Sequence, residues 1–336
     1  MNTKTRQQVD NPDQPDVDLD VSVVIPAYRR PELLRNAVQS VLTQSLAPGR
    51  YEVIVVDSSP DDANARLVEQ LQRDAGSVSL RLIRKPPEGP GPSRMLGARE
   101  ARGRVVAFLD SDCRATPGWL EAGLARFDRD IGIVQGRTLP DPDQPNGVFY
   151  RYVVVEAENP YYEAANIFYL RESLADAGEP SRDMTPNDDR PTGGEDALMA
   201  WRVKRSGWQS TFAADALVLH EVIPIPKWHW LYEKRMLMLP WLLREIPEIK
   251  SKFYLGCFFD RAQAGILLLL VSLSLSPLSP YWLAGCIPYV VVRASEPSET
   301  LHGVMRVARV LFYLPRDLIT FGLLMIGSLR YRALLL

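Results

Sequence analysis

The stretch Val105-Val-Ala-Phe-Leu-Asp-Ser-Asp-Cys113 decides how this chain is read. Five apolar residues run straight into two aspartates separated by one serine. A short, continuous apolar run reads as a strand buried on both faces. Three such runs precede it, at Val21–Ile25, Tyr51–Val56 and Val78–Ile83. Segments of helical spacing lie between them. Pro31 opens the first, at a position where proline is tolerated, and Leu34, Val38 and Val41 mark its apolar stripe. Leu67, Val68 and Leu71 mark the second, and Met95, Leu96 and Ala98 the third, after the loop Lys85–Ser93. Alternating strands and helices imply an α/β fold, a mainly parallel sheet with helices on both faces. Ligands of such sheets bind beyond the carboxyl ends of the strands. Tyr28, Asp57, Asp110 and Asp112 all fall at those ends. The fourth strand therefore aims its carboxylates into the expected ligand crevice.

The chain has 336 residues, with 39 Lys+Arg against 41 Asp+Glu. A net charge of -2 gives no bulk attraction to nucleic acid, which is not an expected partner. An apolar content of 46 % suffices for a core. Cys113, Cys257 and Cys286 are widely spaced, so neither a disulfide framework nor a zinc pattern is expected, which fits a reducing compartment. No basic-plus-apolar signal peptide opens the chain. Residues 1–20 are polar and acidic and read as a disordered tail.

Composition changes from about Lys252 onward. Ala264–Ser276 and Tyr281–Val292 carry no charge, and Ser276-Pro-Leu-Ser-Pro280 between them suits a turn. Each run is shorter than the ~20 residues that cross a bilayer. Arg261 precedes the first and Arg293 follows the second, so a transmembrane hairpin would have both ends in the cytoplasm. A third run, Leu318–Ile326, is followed by Arg330 and Arg332. The competing reading is a buried helical hairpin in a soluble domain. Lys227–Ile246 interleaves aromatic and basic residues and reads as one amphipathic interfacial helix, or as a core-packed one. The expected organisation is a tail at 1–20, an α/β domain at 21–225, and an amphipathic and transmembrane or interfacial helical region at 226–336.

Three readings compete for Asp110-Ser111-Asp112. It can be a solvated turn, where Asp and Ser are common. It can hold a hard divalent cation, Mg²⁺ or Mn²⁺, which takes carboxylate oxygens and leaves room for substrate phosphates. It can be a phosphatase of the haloacid dehalogenase type, but that motif usually follows the first strand and has Thr or Val where this chain has Arg114. Neither GxGxxG after the first strand nor GxxxxGK[ST] anywhere is present, which argues against a dinucleotide-binding oxidoreductase and a P-loop.

Five further stretches occur in a fixed order: Val23–Gln44, Glu52–Ser59, Gly91–Gly103, Phe108–Leu120 and Gly193–Gly207. Together they resemble the inverting family 2 glycosyltransferases of GT-A fold, over roughly Val21–Glu221. The resemblance implies a base pocket at Pro26, Ala27 and Tyr28, with Asp57 accepting a hydrogen bond from the base. It implies that Asp112 binds the metal on a diphosphate and that Asp110 holds the ribose or the metal's shell. It implies Asp196 as general base with Glu195 beside it, and His220 as a metal ligand. Arg94 would contact phosphate, although relatives often show Arg-Asn where this chain has Arg94-Met95. Each residue also has an ordinary reading: Asp57 as a cap, Glu195 and Asp196 as acids at a helix N-terminus, His220 as a satisfied histidine, Trp201 and Trp208 as packing.

The implied chemistry needs such groups. A cation neutralises charge on a diphosphate leaving group, and an attacking hydroxyl must lose its proton to a carboxylate. Glu179–Gly194, polar and proline-rich, reads as a lid, and Gly132–Gly147 as the end of the metal-side subdomain. The expected activity moves a sugar from a UDP-, GDP- or dTDP-sugar to a lipid-linked or cell-envelope glycan acceptor. The protein would sit at a membrane with its catalytic domain on the cytoplasmic side. The alternative is a non-catalytic sugar-nucleotide-binding membrane protein.

Overall fold

The computed structural model describes residues 19–145, 147–178, 193–295 and 304–336. The acidic tail and nearly all of the expected lid, Glu179–Gly194, lie outside them. The first part runs β1 (Val21–Ala27), α1 (Pro31–Leu42), β2 (Tyr51–Asp57), α2 (Ala63–Asp74), β3 (Ser79–Arg84), α3 (Pro90–Glu100), β4 (Val105–Leu109), β5 (Cys113–Ala115), α4 (Trp119–Leu124) and β6 (Ile131–Pro140). It continues through β7 (Tyr150–Arg151), β8 (Asn166–Leu170), α5 (Arg171–Asp176), α6 (Glu195–Arg205), β9 (Gln209–His220) and β10 (Ile223–Pro224). The helical region holds α7 (Lys227–Leu231), α8 (Leu239–Glu245), α9 (Arg261–Leu275), α10 (Ile287–Ser295) and α11 (Val304–Tyr331).

The main sheet has the order β3-β2-β1-β4-β8-β6-β9-β5. β3, β2, β1 and β4 are parallel, as the βαβ pattern requires. β8 runs antiparallel to β4 and β6, and β5 antiparallel to β9. β1, β2 and β4 are buried along their whole length, which is why their sequences do not alternate. Pro26 sits inside β1, not after it, at a place where pairing with β4 has already stopped at Val24. Its missing N–H therefore interrupts no ladder on that side. The stretch expected to end a subdomain holds β6, an inner strand of this sheet. Asn166 joins these strands: its Nδ2 donates to Arg137 O and Ala216 O at 2.8 Å, and its Oδ1 accepts from Trp119 Nε1 at 2.7 Å.

Glycine brings α3 onto the sheet. A Cβ on Gly97 would stand 2.3 Å from Val24 Cγ1 and 3.2 Å from Val56 Cγ2. The helix thus lies close against β1 and β2, with Arg94 near the strand ends.

The helical region differs from expectation in two ways. Lys227–Ile246 is not one helix. It breaks into α7, a 3₁₀ turn at Lys234–Met238 and α8, with Tyr232 and Glu233 extended between the first two. Pro240, which lacks a backbone donor, opens α8 rather than continuing the turn before it. The hairpin does form, α9 packing on the 3₁₀ turn Pro280–Cys286 and on α10, where a Cβ on Gly265 would meet Tyr289 Cα at 2.9 Å. Yet α9 has 15 residues, about 22 Å at 1.5 Å per residue, against a hydrocarbon core of ~30 Å. Among the described residues only Ala308–Tyr331, 24 residues inside α11, is a helix long and apolar enough to cross a membrane. Leu318–Ile326 belongs to it.

The two parts share a core. Ala197 of α6 packs in one cluster with Trp241, Leu242 and Leu243 of α8 and Leu324 of α11. Asp317 of α11 accepts from Arg293 of α10 at 2.5 and 2.7 Å and from Tyr289 Oη at 2.8 Å. Gly97→Ala tests the α3 packing. Alanine is the better helix former by about 1 kcal/mol, but overpacking against Val24 should lower stability by about 1–3 kcal/mol. Denaturant unfolding of the full-length protein measures it, and a midpoint at or above wild type would contradict the close approach.

Candidate active site

The carboxyl ends of β1, β2 and β4 open onto a crevice of about 430 Å³ whose walls include Pro26, Ala27, Tyr28, Ser58, Arg94 and Asp110–Asp112. Tyr28 is 48 % exposed there. Arg29 and Arg30 follow in left-handed backbone, φ 57° and 55°, a conformation that costs non-glycine residues about 1–3 kcal/mol. The turn brings Arg30 Nη1 to 4.0 Å from Asp112 Oδ2. Asp57, next to Ser58, is fully buried. Its Oδ1 accepts from Ser59 N–H and Asn64 Nδ2, both at 3.0 Å, so a local capping role is present. Its Oδ2 has no hydrogen-bond partner, and Arg84 Nε stays 3.9 Å away. A buried oxygen left unpaired costs about 1–3 kcal/mol, and an N–H from a ligand would satisfy it.

At the Asp112 edge of the crevice stand three side chains that could together hold a cation. β5 pairs antiparallel with β9 so that Cys113 faces His220 in register. One ligand atom from each of Asp112, Cys113 and His220 lies within 4.8 Å of the others. His220 Nδ1 is 2.6 Å from Glu221 O, and a carbonyl can only accept, so Nδ1 carries the proton. Nε2 is left with its lone pair, 3.7 Å from Asp112 Oδ1. Burial pushes the Cys113 thiol well above its usual range, and Asp110 and Asp112 push it further. Burial, then Asp110, also raises the Asp112 carboxyl. A carboxylate and an imidazole nitrogen suit a hard or borderline cation such as Mg²⁺ or Mn²⁺.

Arg94 stands where two acidic groups meet, a position that spacing alone does not reveal. Its Nη2 donates to Asp110 Oδ1 at 2.6 Å and its Nη1 to Asp196 Oδ1 at 2.8 Å, with Glu195 Oε1 at 3.5 Å. It was expected to contact phosphate, but its guanidinium is taken by carboxylates from two distant segments. They hold it charged. Gly193 and Gly194, at φ 126° and 88°, make the turn that starts α6 at Glu195. Asp196 Oδ2 accepts from Ala164 N–H at 3.0 Å. Burial raises the Asp196 carboxyl to about 7, Arg94 opposes the rise, and Glu195 and Asp110 add to it.

A second cavity, about 340 Å³, lies on the far side of this cluster, with Asp110, Glu195 and Asp196 in its wall. Glu163, Arg235, Trp241 and Leu242 complete it, the last three from the helical region. Glu163 did not stand out in the sequence, whereas Arg235, Trp241 and Leu242 fall in the aromatic and basic stretch Lys227–Ile246, which reads there as a helix and not as a cavity wall.

The cation set has a direct test. Asp112→Asn should weaken Mn²⁺-dependent nucleotide binding about tenfold, about 1.4 kcal/mol. Titration calorimetry with and without Mn²⁺ reads it, and unchanged binding would remove Asp112 from the site.

Residues 22–179 match the family described as Glycosyl transferase family 2. Glu195, Asp196 and His220 lie beyond the match. Glycosyltransferase AglE of Haloferax volcanii is 26 % identical over 215 residues, 61 % of this chain and 67 % of that one. The GalNAc(5)-diNAcBac-PP-undecaprenol beta-1,3-glucosyltransferase of Campylobacter jejuni is 29 % identical over 119 residues, 35 % of this chain and 38 % of that one. The chain thus spans two thirds of one relative and well under half of the other. The mannosyltransferase PcManGT from Pyrobaculum calidifontis, solved in complex with GDP-Man and Mn2+, is 19 % identical with a TM-score of 0.57, over 95 % of this chain and 91 % of that one. That likeness takes in the sheet and the helical region together. Residues 22–179 thus carry a Glycosyl transferase family 2 domain, and the fold is of GT-A type.

Proposed function

We propose that the protein is an inverting glycosyltransferase. It would move a sugar from a nucleoside-diphosphate donor, UDP-, GDP- or dTDP-linked, to a lipid-linked or cell-envelope glycan acceptor. The observation that carries the reading is the Arg94 cluster, because one guanidinium ties Asp110 of the strand-end crevice to Asp196 of the second cavity. Two substrates that exchange a sugar must meet at such a junction.

In this reading the nucleobase lies against Tyr28 and fills the unpaired position on Asp57 Oδ2. Asp110 accepts from the donor's ribose or supports the cation shell. Asp112 and His220 Nε2 would hold the divalent cation, which when bound neutralises charge on the departing diphosphate. The acceptor hydroxyl sits in the second cavity. Its oxygen bonds to the anomeric carbon on the face opposite the diphosphate, whose C–O bond breaks. The hydroxyl proton passes to Asp196. A single displacement inverts the anomeric centre. Arg94 and the Ala164 N–H hold the two Asp196 oxygens and so fix the carboxylate's direction.

Membrane association is supported by α11 and by the apolar side chains it leaves exposed, Leu311 at 69 % and Leu329 at 77 % among them. In this reading the catalytic domain lies on the cytoplasmic side. Fractionation of the full-length protein checks the first point: it should stay with membranes until detergent is added, and a protein that is soluble without detergent overturns it.

The base is tested by Asp196→Asn, which keeps shape and removes basicity. Turnover should fall by about 10²–10⁴ while donor affinity stays within about threefold. Glu195→Gln should do less. Asp196 must be ionised to act, and its carboxyl is raised to about 7, so the wild-type rate should climb with pH through about 7 and then level off. Full transfer by the Asp196→Asn protein would sink the mechanism. A wild type that binds donor but transfers to no lipid acceptor would favour the binding-only alternative.

A further inference from the structure

A third cavity, about 460 Å³, lies between β7, β10, α7, the Lys234–Met238 turn and α11. Arg151, Lys234, Arg235 and Arg316 line it against a single carboxylate, Glu233. Glu233 Oε1 is already taken by Arg235, at 2.8 and 3.2 Å. Among the described residues, no carboxylate comes within 4.0 Å of Arg151, Lys234 or Arg316. The cavity therefore carries an unbalanced positive charge.

The rest of its wall is largely aromatic. Trp230 stacks on Phe312 of α11, with ring centres 4.4 Å apart, and the Arg316 guanidinium stands 5.5 Å over the Trp230 ring. The Trp230 indole N–H is buried without a partner, although a buried Trp N–H usually finds an acceptor. Cations, aromatic faces and an idle N–H donor together suit an anion of phosphate type.

Placement narrows the ligand. Asp110 lines both the strand-end crevice and the second cavity, and Arg235 lines both the second cavity and this one. The three form a row. Its cationic end abuts α11, and Arg316 lies within the Ala308–Tyr331 apolar segment. An ionisable side chain in such a segment is costly and marks a polar partner. Leu311 and Phe312 beside it are exposed, at 69 % and 44 %. The far end of the row thus offers positive charge next to apolar surface, the complement of a phosphate on a long hydrocarbon chain.

We propose that this cavity binds the phosphate head of the acceptor lipid. Lys234, Arg316 and Arg151 hold the phosphate, the hydrocarbon chain lies along the exposed side of α11, and the reacting hydroxyl is presented past Arg235 to the Asp196 cavity. The inference rests on the proposed transfer to a lipid-linked acceptor and names how that acceptor is recognised.

The test uses the full chain in uncharged detergent micelles. A polyprenyl phosphate is the probe, with phosphatidylglycerol and inorganic pyrophosphate as competitors. Wild type should bind the polyprenyl phosphate at least about tenfold more tightly than either competitor. Lys234→Gln, which replaces an exposed side chain, and Arg316→Gln should each weaken that binding about tenfold, with sugar-nucleotide affinity within about threefold. Unchanged binding in both variants overturns the site. Equal affinity for phosphatidylglycerol overturns it in favour of a general anionic membrane contact, and equal affinity for pyrophosphate in favour of a free-phosphate site. Loss of lipid binding in the variants of a protein that binds no sugar nucleotide would sustain the site and defeat the transferase reading. Sugar transfer with undiminished lipid binding in the variants would do the reverse.

Discussion

The Arg94 guanidinium holds the middle of this molecule together. It is 8 % exposed and faces three carboxylates, Asp110 from the end of β4 and Glu195 and Asp196 from the start of α6. Without it, three like charges would share one partly desolvated space, and desolvation with mutual repulsion would drive protons onto them. With it, Asp110 and Asp196 keep fixed directions although they stand 86 positions apart in the chain. Arg94 owes its own position to Gly97, one turn later, because α3 can approach the sheet so closely only where no Cβ intervenes.

The cluster also explains why the helical region cannot be treated as an appendage. Glu195 and Asp196 open α6, and the next residue, Ala197, is packed with Trp241, Leu242 and Leu324. A Cβ on Gly194 would stand 3.1 Å from Leu242 Cδ1. The turn that aims the two acids is thus covered by side chains of α8, and α8 in turn leans on α11. Whatever fixes α11 therefore also bears on α8, which forms a wall of the second cavity.

The cation set shows how little rearrangement separates sequence order from site. Asp112 and His220 are far apart in the chain, yet β5 and β9 pair in a register that sets Cys113 opposite His220. The hydrogen bond from Nδ1 to Glu221 O then chooses the tautomer that leaves Nε2 with its lone pair.

The sequence by itself determined the parallel half of the sheet, because uninterrupted apolar runs and helical spacing are local signals that survive any packing. It placed Tyr28, Asp57, Asp110 and Asp112 at strand ends, since a strand's end is written where its apolar run stops. It marked the Gly-Gly turn before Glu195, the uncharged runs of the C-terminal region and the order of stretches that resembles a known family. Tertiary structure alone decided the rest. Trp230 stacks on Phe312 of α11, a contact that periodicity cannot foresee. Arg94 reads as a phosphate contact until α3 and α6 are brought together. The carboxylates that claim it lie up to 102 positions away, and attraction between charges depends on their distance in space. Glu163, Arg235 and the cations around Trp230 gain meaning in the same way, from walls assembled by segments that share no sequence signal.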